Sequence, residues 1–207
     1  MSVFQRSPEW FADRCGKVTA SRIADIMAVP RGAGSSSRSN YIAQLVAERL
    51  TGQPAPSYRN AAMEHGIETE DQALAFYTLE TGRSVCEVGF IPHPTIIGAG
   101  ASPDGLVGDD GLVEAKCPQT ATHIATLRGG AIPDKYVRQM QFQMACTGRA
   151  WCDFVSFDPR LPDDLQLHVR RVERDPAMIE AIEAAVRTAL AEVEATIDDL
   201  NAYRKAA

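Results

Sequence analysis

The sequence predicts one α/β domain in which helices flank a mixed central β-sheet. Residues 1–82 carry mainly helical patterns, and residues 83–173 combine short β-branched segments and glycine turns with two further helices. Residues 174–207 repeat apolar side chains at helical spacing. The length of 207 residues and the 45% of hydrophobic residues suit one domain with its own core.

The N-terminal part predicts three helices. Residues 19–29 begin with hydroxyl side chains that can cap a helix and continue with an apolar face. Residues 40–50 predict a second helix, and residues 61–81 a long third that ends at Gly82. The stretches between them are rich in glycine, serine and proline and are predicted to be loops, at residues 30–39 and 51–60.

The middle of the chain predicts the sheet. Residues 84–118 form a predicted meander of strands that turns at the GDDG sequence of residues 108–111. Two more strands are predicted at residues 151–157 and 165–172. The helices predicted at residues 119–127 and 135–147 would cover at least one face of this sheet.

The C-terminal segment, Asp175–Tyr203, predicts one long helix. Its apolar residues follow one another at steps of 3 or 4, which places them along one face. That face either packs on its own domain or forms a subunit interface. The residues concerned are Ile179, Ile182, Val186, Leu190, Val193, Ile197 and Leu200.

Composition argues against several classes of protein. The five cysteines form no CxxC pair, so we expect free thiols in a reducing compartment rather than zinc or an iron–sulfur cluster. No apolar run reaches the ~20 residues of a membrane span, and the N-terminus lacks the pattern of a signal peptide. We therefore expect a cytoplasmic protein with no membrane partner. The net charge of -6 argues against a generally basic DNA-binding surface.

The arms of the predicted hairpin carry two carboxylates and a lysine. Glu114 and Lys116 are two residues apart, so on a strand their side chains leave the same face. Asp104 and Glu114 are symmetric about residue 109, so a hairpin that closes there sets them opposite one another. A divalent cation would relieve their repulsion, and oxygen ligands favour Mg²⁺ or Mn²⁺ over zinc. A surface salt bridge is the alternative interpretation.

These residues suit metal-dependent hydrolysis of a phosphodiester. With Asp104 and Glu114 as ligands, the carbonyl of Ala115 could complete the protein's share of the metal shell. Lys116 cannot be a ligand while it is an ammonium group. It would instead position the attacking water or stabilise charge in the transition state.

The sequence resembles a known nuclease group. ASPDGL at residues 101–106, followed by LVEAKCP at residues 112–118, resembles the two-part signature of the restriction-endonuclease-like fold. The Lys-Cys-Pro ending is similar to that of the phage lambda exonuclease and YqaJ-type viral recombinase family. Four more segments resemble this family: WFADRCGKVTASRIADIM, HGIETEDQALAFY, YVRQMQFQM and WCDFVSFDPR.

The resemblance implies a restriction-endonuclease-like core and assigns roles to the site residues. Asp104 and Glu114 would be the metal ligands, and Lys116 the catalytic lysine. Glu70 would support the site from a helix, although the neighbouring Glu68 and Asp71 leave this assignment open by one or two positions.

The family's catalytic glutamine corresponds to Gln139 or Gln141. Both cannot point the same way on a helix, and Gln139 is preferred. Tyr136 lies one turn before Gln139, and we expect Tyr136 and Gln141 to contact DNA.

A pocket for the 5'-terminal phosphate is also implied by the resemblance. Arg14, Ser21 and Ser102 stand at the matching positions, and Arg31 follows in the glycine-rich loop. A guanidinium and hydroxyl donors near a helix start would favour a terminal phosphate, which carries more charge than an internal one. The alternatives are a helix cap for Ser21 and a structural ion pair for Arg14.

The function implied is Mg²⁺-dependent 5'-to-3' digestion of one strand of linear double-stranded DNA, leaving a 3' overhang. The expected partners are DNA ends, a homotrimeric ring of identical chains, and a phage-type annealing protein that acts in recombination. A ring would retain an acidic protein on DNA without a high basic charge. The alternatives are a metal-dependent DNA endonuclease and a non-catalytic DNA-binding subunit.

Overall fold

The computed structural model describes residues 5–28, 37–56 and 61–206, without the side chains of residues 61–65 and 67. Helices flank two β-sheets, which confirms the predicted α/β class with mixed sheets. The helices are α1 (Pro8–Arg14), α2 (Ile23–Ile26), α3 (Ser37–Thr51), α4 (Ala61–Thr81), α5 (Thr120–Leu127), α6 (Asp134–Thr147) and α7 (Pro176–Ala206). The strands are β1 (Val18–Thr19), β2 (Val85–Cys86), β3 (Ile91–Pro92), β4 (Ala99–Ala101), β5 (Gly105–Val107), β6 (Gly111–Lys116), β7 (Trp151–Phe157) and β8 (Leu167–Glu173).

The predicted helices are found, with one important change near the N-terminus. The helix expected at residues 19–29 is instead β1, a 3₁₀ turn at Ala20–Arg22 and the single turn of α2. The predicted segments also omitted α1, which has Pro8 at its first position and Ser7 as its N-cap. Ser7 accepts a hydrogen bond of 3.2 Å from the Trp10 amide.

Two sheets replace the single central sheet that the sequence predicts. The order is β1-β4-β3 in one sheet and β2-β5-β6-β7-β8 in the other. Pro103 lies between β4 and β5 and has no N–H to donate to a ladder, so the chain changes sheet at this point. The larger sheet is mixed because β6 and β7 are parallel, whereas the other pairs are antiparallel.

The β5–β6 hairpin has the predicted register. Gly105 pairs with Val113, Leu106 with Leu112 and Val107 with Gly111, so the hairpin is symmetric about residue 109. Continuing this register by one residue brings Asp104 opposite Glu114. The predicted register of the hairpin is therefore confirmed.

The apolar seam of α7 packs within the chain. It joins a buried cluster that includes Ile23 of α2, Leu45 of α3 and Phe142 of α6. The seam loses its cover toward the C-terminus, where Leu200 is 40% exposed. The α7 residues that are buried in this cluster are Ile179, Ile182, Val186, Ala189, Leu190 and Val193.

Two further observations concern the cysteines and the helices. All five cysteines are free thiols. Within the described ranges, none of the helices combines the length and the apolar character that crossing a lipid bilayer requires.

Candidate active site

Glu114 is the centre of a buried polar cluster on β6. Its side chain is only 1% exposed and forms an ion pair with Lys116 of the same strand. Gln139 donates to Oε1 of Glu114 at 2.6 Å, and Gln143 donates to Oε2 at 2.5 Å. Because a buried carboxylate is costly without donors, these three side chains are what allows Glu114 to lie in the core.

Asp104 completes the cluster from the start of β5. Its Oδ2 accepts a hydrogen bond of 2.8 Å from the amide of Ala115, which holds the carboxylate beside the strand that carries Glu114. Burial and the charge of Glu114 raise the pKa of Asp104 well above its ordinary value. The two carboxylates therefore repel each other across the hairpin.

Lys116 keeps its positive charge in this setting. Burial lowers the pKa of Lys116, but the charges of Glu114 and Asp104 outweigh burial and the net change is upward. The group is therefore an ammonium at neutral pH, and its expected role beside a metal stays a prediction.

The donor set fits a hard divalent cation. In the described part of the chain, no three His, Cys, Asp or Glu side chains are grouped closely enough to hold a metal ion. Mg²⁺ needs fewer protein ligands than that, since it usually binds through one or two carboxylates and keeps several waters. Asp104 and Glu114 could supply those carboxylates, and a cation between them would offset the repulsion that raises the pKa of Asp104. The expected ligand role of the Ala115 carbonyl stays a prediction.

Glu70 reaches the cluster from α4. Arg6 donates to Oε2 of Glu70 at 2.7 Å. Burial raises the pKa of Glu70, while the charges of Arg6 and Lys116 oppose that rise only in part. Glu68 and Asp71, the alternatives for this position, are exposed. A cavity of about 240 Å³ lies beside Glu70, and Arg6 and Asp104 also line it.

The two candidate glutamines face different ways. Gln139 contacts Glu114, as preferred from the sequence. Gln141 is buried: its amide nitrogen donates to the carbonyl of Glu173 at 2.7 Å, and its oxygen accepts from the amide of Asp175 at 2.9 Å. The expected DNA contact of Gln141 does not agree with this placement, because both polar atoms bind backbone between β8 and α7.

Gln143 is a site residue that the sequence interpretation missed. It lies four residues after Gln139, and this spacing returns a side chain to the same helix face. Helical spacing was therefore a usable signal. Tyr136 also lies on this side, with its ring centroid 5.3 Å from Lys116 Nζ, and it stacks on Phe154.

A second polar pocket, here called the arginine pocket after Arg14, lies between α1 and the end of β4. Ser102 Oγ accepts hydrogen bonds from Arg14 at 3.1 Å and from the indole of Trp10 at 3.0 Å. The Arg14 guanidinium lies 4.1 Å from the centroid of the Trp10 ring. The adjoining cavity of about 190 Å³ is lined by Arg14 and by the exposed Ser21. The structure thus groups Arg14 and Ser102 as predicted, with Ser21 at the rim, whereas Arg31 lies outside the described residues.

Arg14 carries a buried positive charge in this pocket. Desolvation lowers the pKa of Arg14 to about 10 and outweighs the opposing effects of Tyr41 and Glu48, so the guanidinium is still charged at neutral pH. The sequence did not predict the indole donor of Trp10, whose contact with Ser102 joins residues 92 positions apart.

Fold and site together define a class of protein: an α/β nuclease fold with paired carboxylates and a lysine on one hairpin. The profile of the YqaJ-like viral recombinase domain matches residues 9–150. The chain belongs to the YqaJ-like viral recombinase family, and this confirms the resemblance inferred from its motifs.

Solved structures agree with this assignment. An alkaline exonuclease (LHK-Exo) from Laribacter hongkongensis has 56% identity, with 97% of this chain and 98% of that chain covered and a TM-score of 0.88. A structure of LHK-Exo in complex with dAMP has 55% identity, coverage of 97% and 100%, and a TM-score of 0.90. A phage related exonuclease from Haemophilus somnus has 18% identity, coverage of 89% and 96%, and a TM-score of 0.67, so it shares the fold alone. The comparison with curated proteins finds no match.

Proposed function

We propose that this member of a nuclease family is a Mg²⁺-dependent 5'-to-3' exonuclease that digests one strand of linear double-stranded DNA. The observation that carries the proposal is the joining of two pockets by one short segment. Ser102 contacts Arg14 in the arginine pocket, and Asp104, two residues later, belongs to the carboxylate cluster. A strand end held at Ser102 would lie close to the groups that cleave it.

The carboxylate cluster supplies the chemistry in this proposal. Asp104, Glu114 and the carbonyl of Ala115 would hold Mg²⁺, for which Mn²⁺ could substitute. When bound, the metal supplies charge stabilisation to the phosphoryl oxygens and lowers the pKa of a water nucleophile. Lys116 orients that water or stabilises negative charge as the phosphorus–oxygen bond breaks. Gln139 and Gln143 fix the carboxylate of Glu114 in the required orientation.

In this proposal, the arginine pocket is the reason that the enzyme requires a DNA end. Arg14 can make charge-assisted hydrogen bonds to a 5'-terminal phosphate. The hydroxyl of Ser102, whose oxygen accepts from Arg14 and from the Trp10 indole, keeps its own O–H as a neutral donor. An internal phosphate carries less charge and is flanked on both sides by DNA, so it fits this pocket less well. Capture of the terminal phosphate would set the 5'-to-3' direction.

The relatives support the same activity. LHK-Exo is an alkaline exonuclease, and its complex holds dAMP, a nucleoside monophosphate of the kind that such digestion releases. The family name refers to viral recombination, so we infer that the 3' overhang serves recombination by single-strand annealing. The proposal also includes two kinds of protein partner in the bacterial cytoplasm. Two further copies of the chain would close with it into a ring around DNA, and a phage-type annealing protein would take part in the recombination.

The test uses three substrates with matched sequence: linear DNA with 5'-phosphates, linear DNA with 5'-hydroxyls, and closed circular DNA. With Mg²⁺ we expect fast loss of the phosphorylated substrate, slower loss of the hydroxyl substrate, and an intact circle. Chelation of the metal should stop all digestion, and Mn²⁺ should restore it. Cleavage of the circle would show an endonuclease instead, and binding without any cleavage would show a non-catalytic subunit.

A further inference from the structure

The short segment of residues 5–7 has an unusual backbone. Arg6 has φ 67°, and within the described residues it is the only non-glycine residue with positive φ. A side chain in this left-handed region is held against a steric preference, so the surrounding structure must fix it. Such positions often serve a site.

Both neighbours of Arg6 are anchored. The side-chain amide of Gln5 donates through Nε2 to the carbonyl of Val88 at 2.9 Å and to the carbonyl of Pro103 at 2.8 Å. On the other side, Ser7 caps α1 through its bond with Trp10. Because Pro103 directly precedes Asp104, the anchor of this segment is the same stretch of chain that carries a predicted metal ligand.

The side chain of Arg6 extends from this anchored segment toward the active site. Its Nη2 bonds to Oε2 of Glu70 at 2.7 Å, with the two side chains 34% and 23% exposed. Gln5, Arg6, Glu70 and Asp104 all line the cavity of about 240 Å³ beside the cluster.

We propose that Arg6 is a positioning residue of the active site, which holds the carboxylate of Glu70 at the wall of the cavity that Asp104 also lines. This inference rests on the proposed nuclease function for its catalytic consequence. The match to the family profile starts at residue 9, so it does not cover Arg6. An ion pair on an exposed helix would contribute little, but here the guanidinium is held by an anchored backbone on one side and reaches a half-buried acid on the other.

The variants separate the guanidinium from the backbone. Arg6→Gly removes the side chain and suits the positive φ, so the segment keeps its path, whereas Arg6→Ala removes the side chain and leaves the strain. Arg6→Lys keeps the charge without the planar fork. We expect a fall in the maximal cleavage rate of about 10- to 100-fold for the glycine and alanine variants, since small misplacements of site groups cost this much. The affinity for DNA, measured without divalent cations, should be unchanged, and the lysine variant should recover part of the rate.

Two further measurements show whether Arg6 acts through Glu70. In a Glu70→Gln background, the added Arg6→Gly change should have much less effect than it has alone, since the two residues form one unit. A crystal structure of Arg6→Gly should show the Glu70 carboxylate displaced, and this result does not depend on activity. Arg187→Ala, which removes an exposed arginine paired with Glu183 on α7, is the matched control and should cleave normally.

Each failure has a distinct form. An inactive natural protein, with Glu70 displaced in Arg6→Gly, would overturn the proposed function and leave the positioning role standing. A normal rate in Arg6→Gly, or an unmoved Glu70, would overturn the positioning role alone. A loss of DNA affinity with a normal maximal rate would also overturn it and would make Arg6 a direct DNA contact.

Discussion

The carboxylate cluster and the arginine pocket are built in opposite ways. The cluster comes from one hairpin, where Asp104 and Glu114 are ten residues apart and Gln139 closes it from α6. The pocket joins Arg14 to Ser102 across 88 positions of the sequence. The cluster gathers negative charge and the pocket holds a positive one, yet they meet at residues 102–104. Residues 102–104 thus contribute to two sites of opposite charge, so that a bound DNA end would contact both.

Burial disfavours the charged form of one important group in each region, Asp104 in the cluster and Arg14 in the pocket. Burial and Glu114 raise the pKa of Asp104, whereas desolvation lowers the pKa of Arg14 to about 10. A group in this condition gains most from a ligand of opposite sign. The proposed function places a cation at the hairpin and an anion in the pocket, and these two proposals can be tested separately.

Removal of Lys116 should have the largest effect. Lys116→Ala takes away the ammonium beside Glu114, and we expect cleavage of 5'-phosphorylated DNA to fall by about 100-fold or more. Binding of the same DNA should change little, because the arginine pocket is intact. Single-turnover digestion and a binding titration measure the two effects. A Lys116→Ala protein that cleaves at the natural rate would remove this residue from the chemistry.

Removal of Arg14 should affect end recognition alone. In Arg14→Ala, the preference for 5'-phosphate over 5'-hydroxyl ends should fall by about 10-fold, in line with one lost charge-assisted hydrogen bond. Digestion of the hydroxyl substrate should be nearly unaltered. The ratio of the two digestion rates is the measurement, with Arg187→Ala as the control. An unaltered ratio would show that the anion binds elsewhere.

The glutamines of α6 form a matched pair for the next test. Gln143→Leu removes a donor to buried Glu114 and should lower the cleavage rate by about 10-fold, because an oxygen of a site carboxylate is left unsatisfied. Gln141→Leu removes bonds to backbone between β8 and α7, so it should lower the thermal midpoint while the folded protein keeps its rate. Melting curves and initial rates of both variants separate the roles. Equal losses of rate would contradict the distinction.

Ser21 should show the smallest effect. It is exposed at the rim of the arginine pocket, so Ser21→Ala should reduce the 5'-phosphate preference by about twofold, the size of a weak neutral hydrogen bond. Ser102→Ala, which removes the acceptor of both Arg14 and Trp10, should reduce that preference more. A larger loss for Ser21 than for Ser102 would reverse the order of importance within the pocket.

Features fixed by local spacing were predictable from the residues themselves, whereas the grouping of Arg14 with Ser102 across 88 positions was predicted only through the resemblance to a family. The hairpin about residue 109 and the shared face of Glu114 and Lys116 follow from a strand period of two. The period of a helix also separates Gln139 from Gln141 and could have pointed to Gln143.

The missed features depend on contacts between distant segments. The Arg6–Glu70 pair spans 64 positions. The parallel pairing of β1 with β4 joins Val18 to Ala99. The split into two sheets depends on Pro103, whose effect on the ladder shows only once β4 and β5 have been assigned partners. Residue type alone carries no record of such pairings.

The most direct test of the central claim is an anomalous difference map from crystals of the protein soaked in Mn²⁺. The account predicts one strong peak between the carboxylates of Asp104 and Glu114, and its loss in crystals of Asp104→Asn. A peak only at another position, or no peak at this hairpin while the carboxylates remain in place, would contradict it.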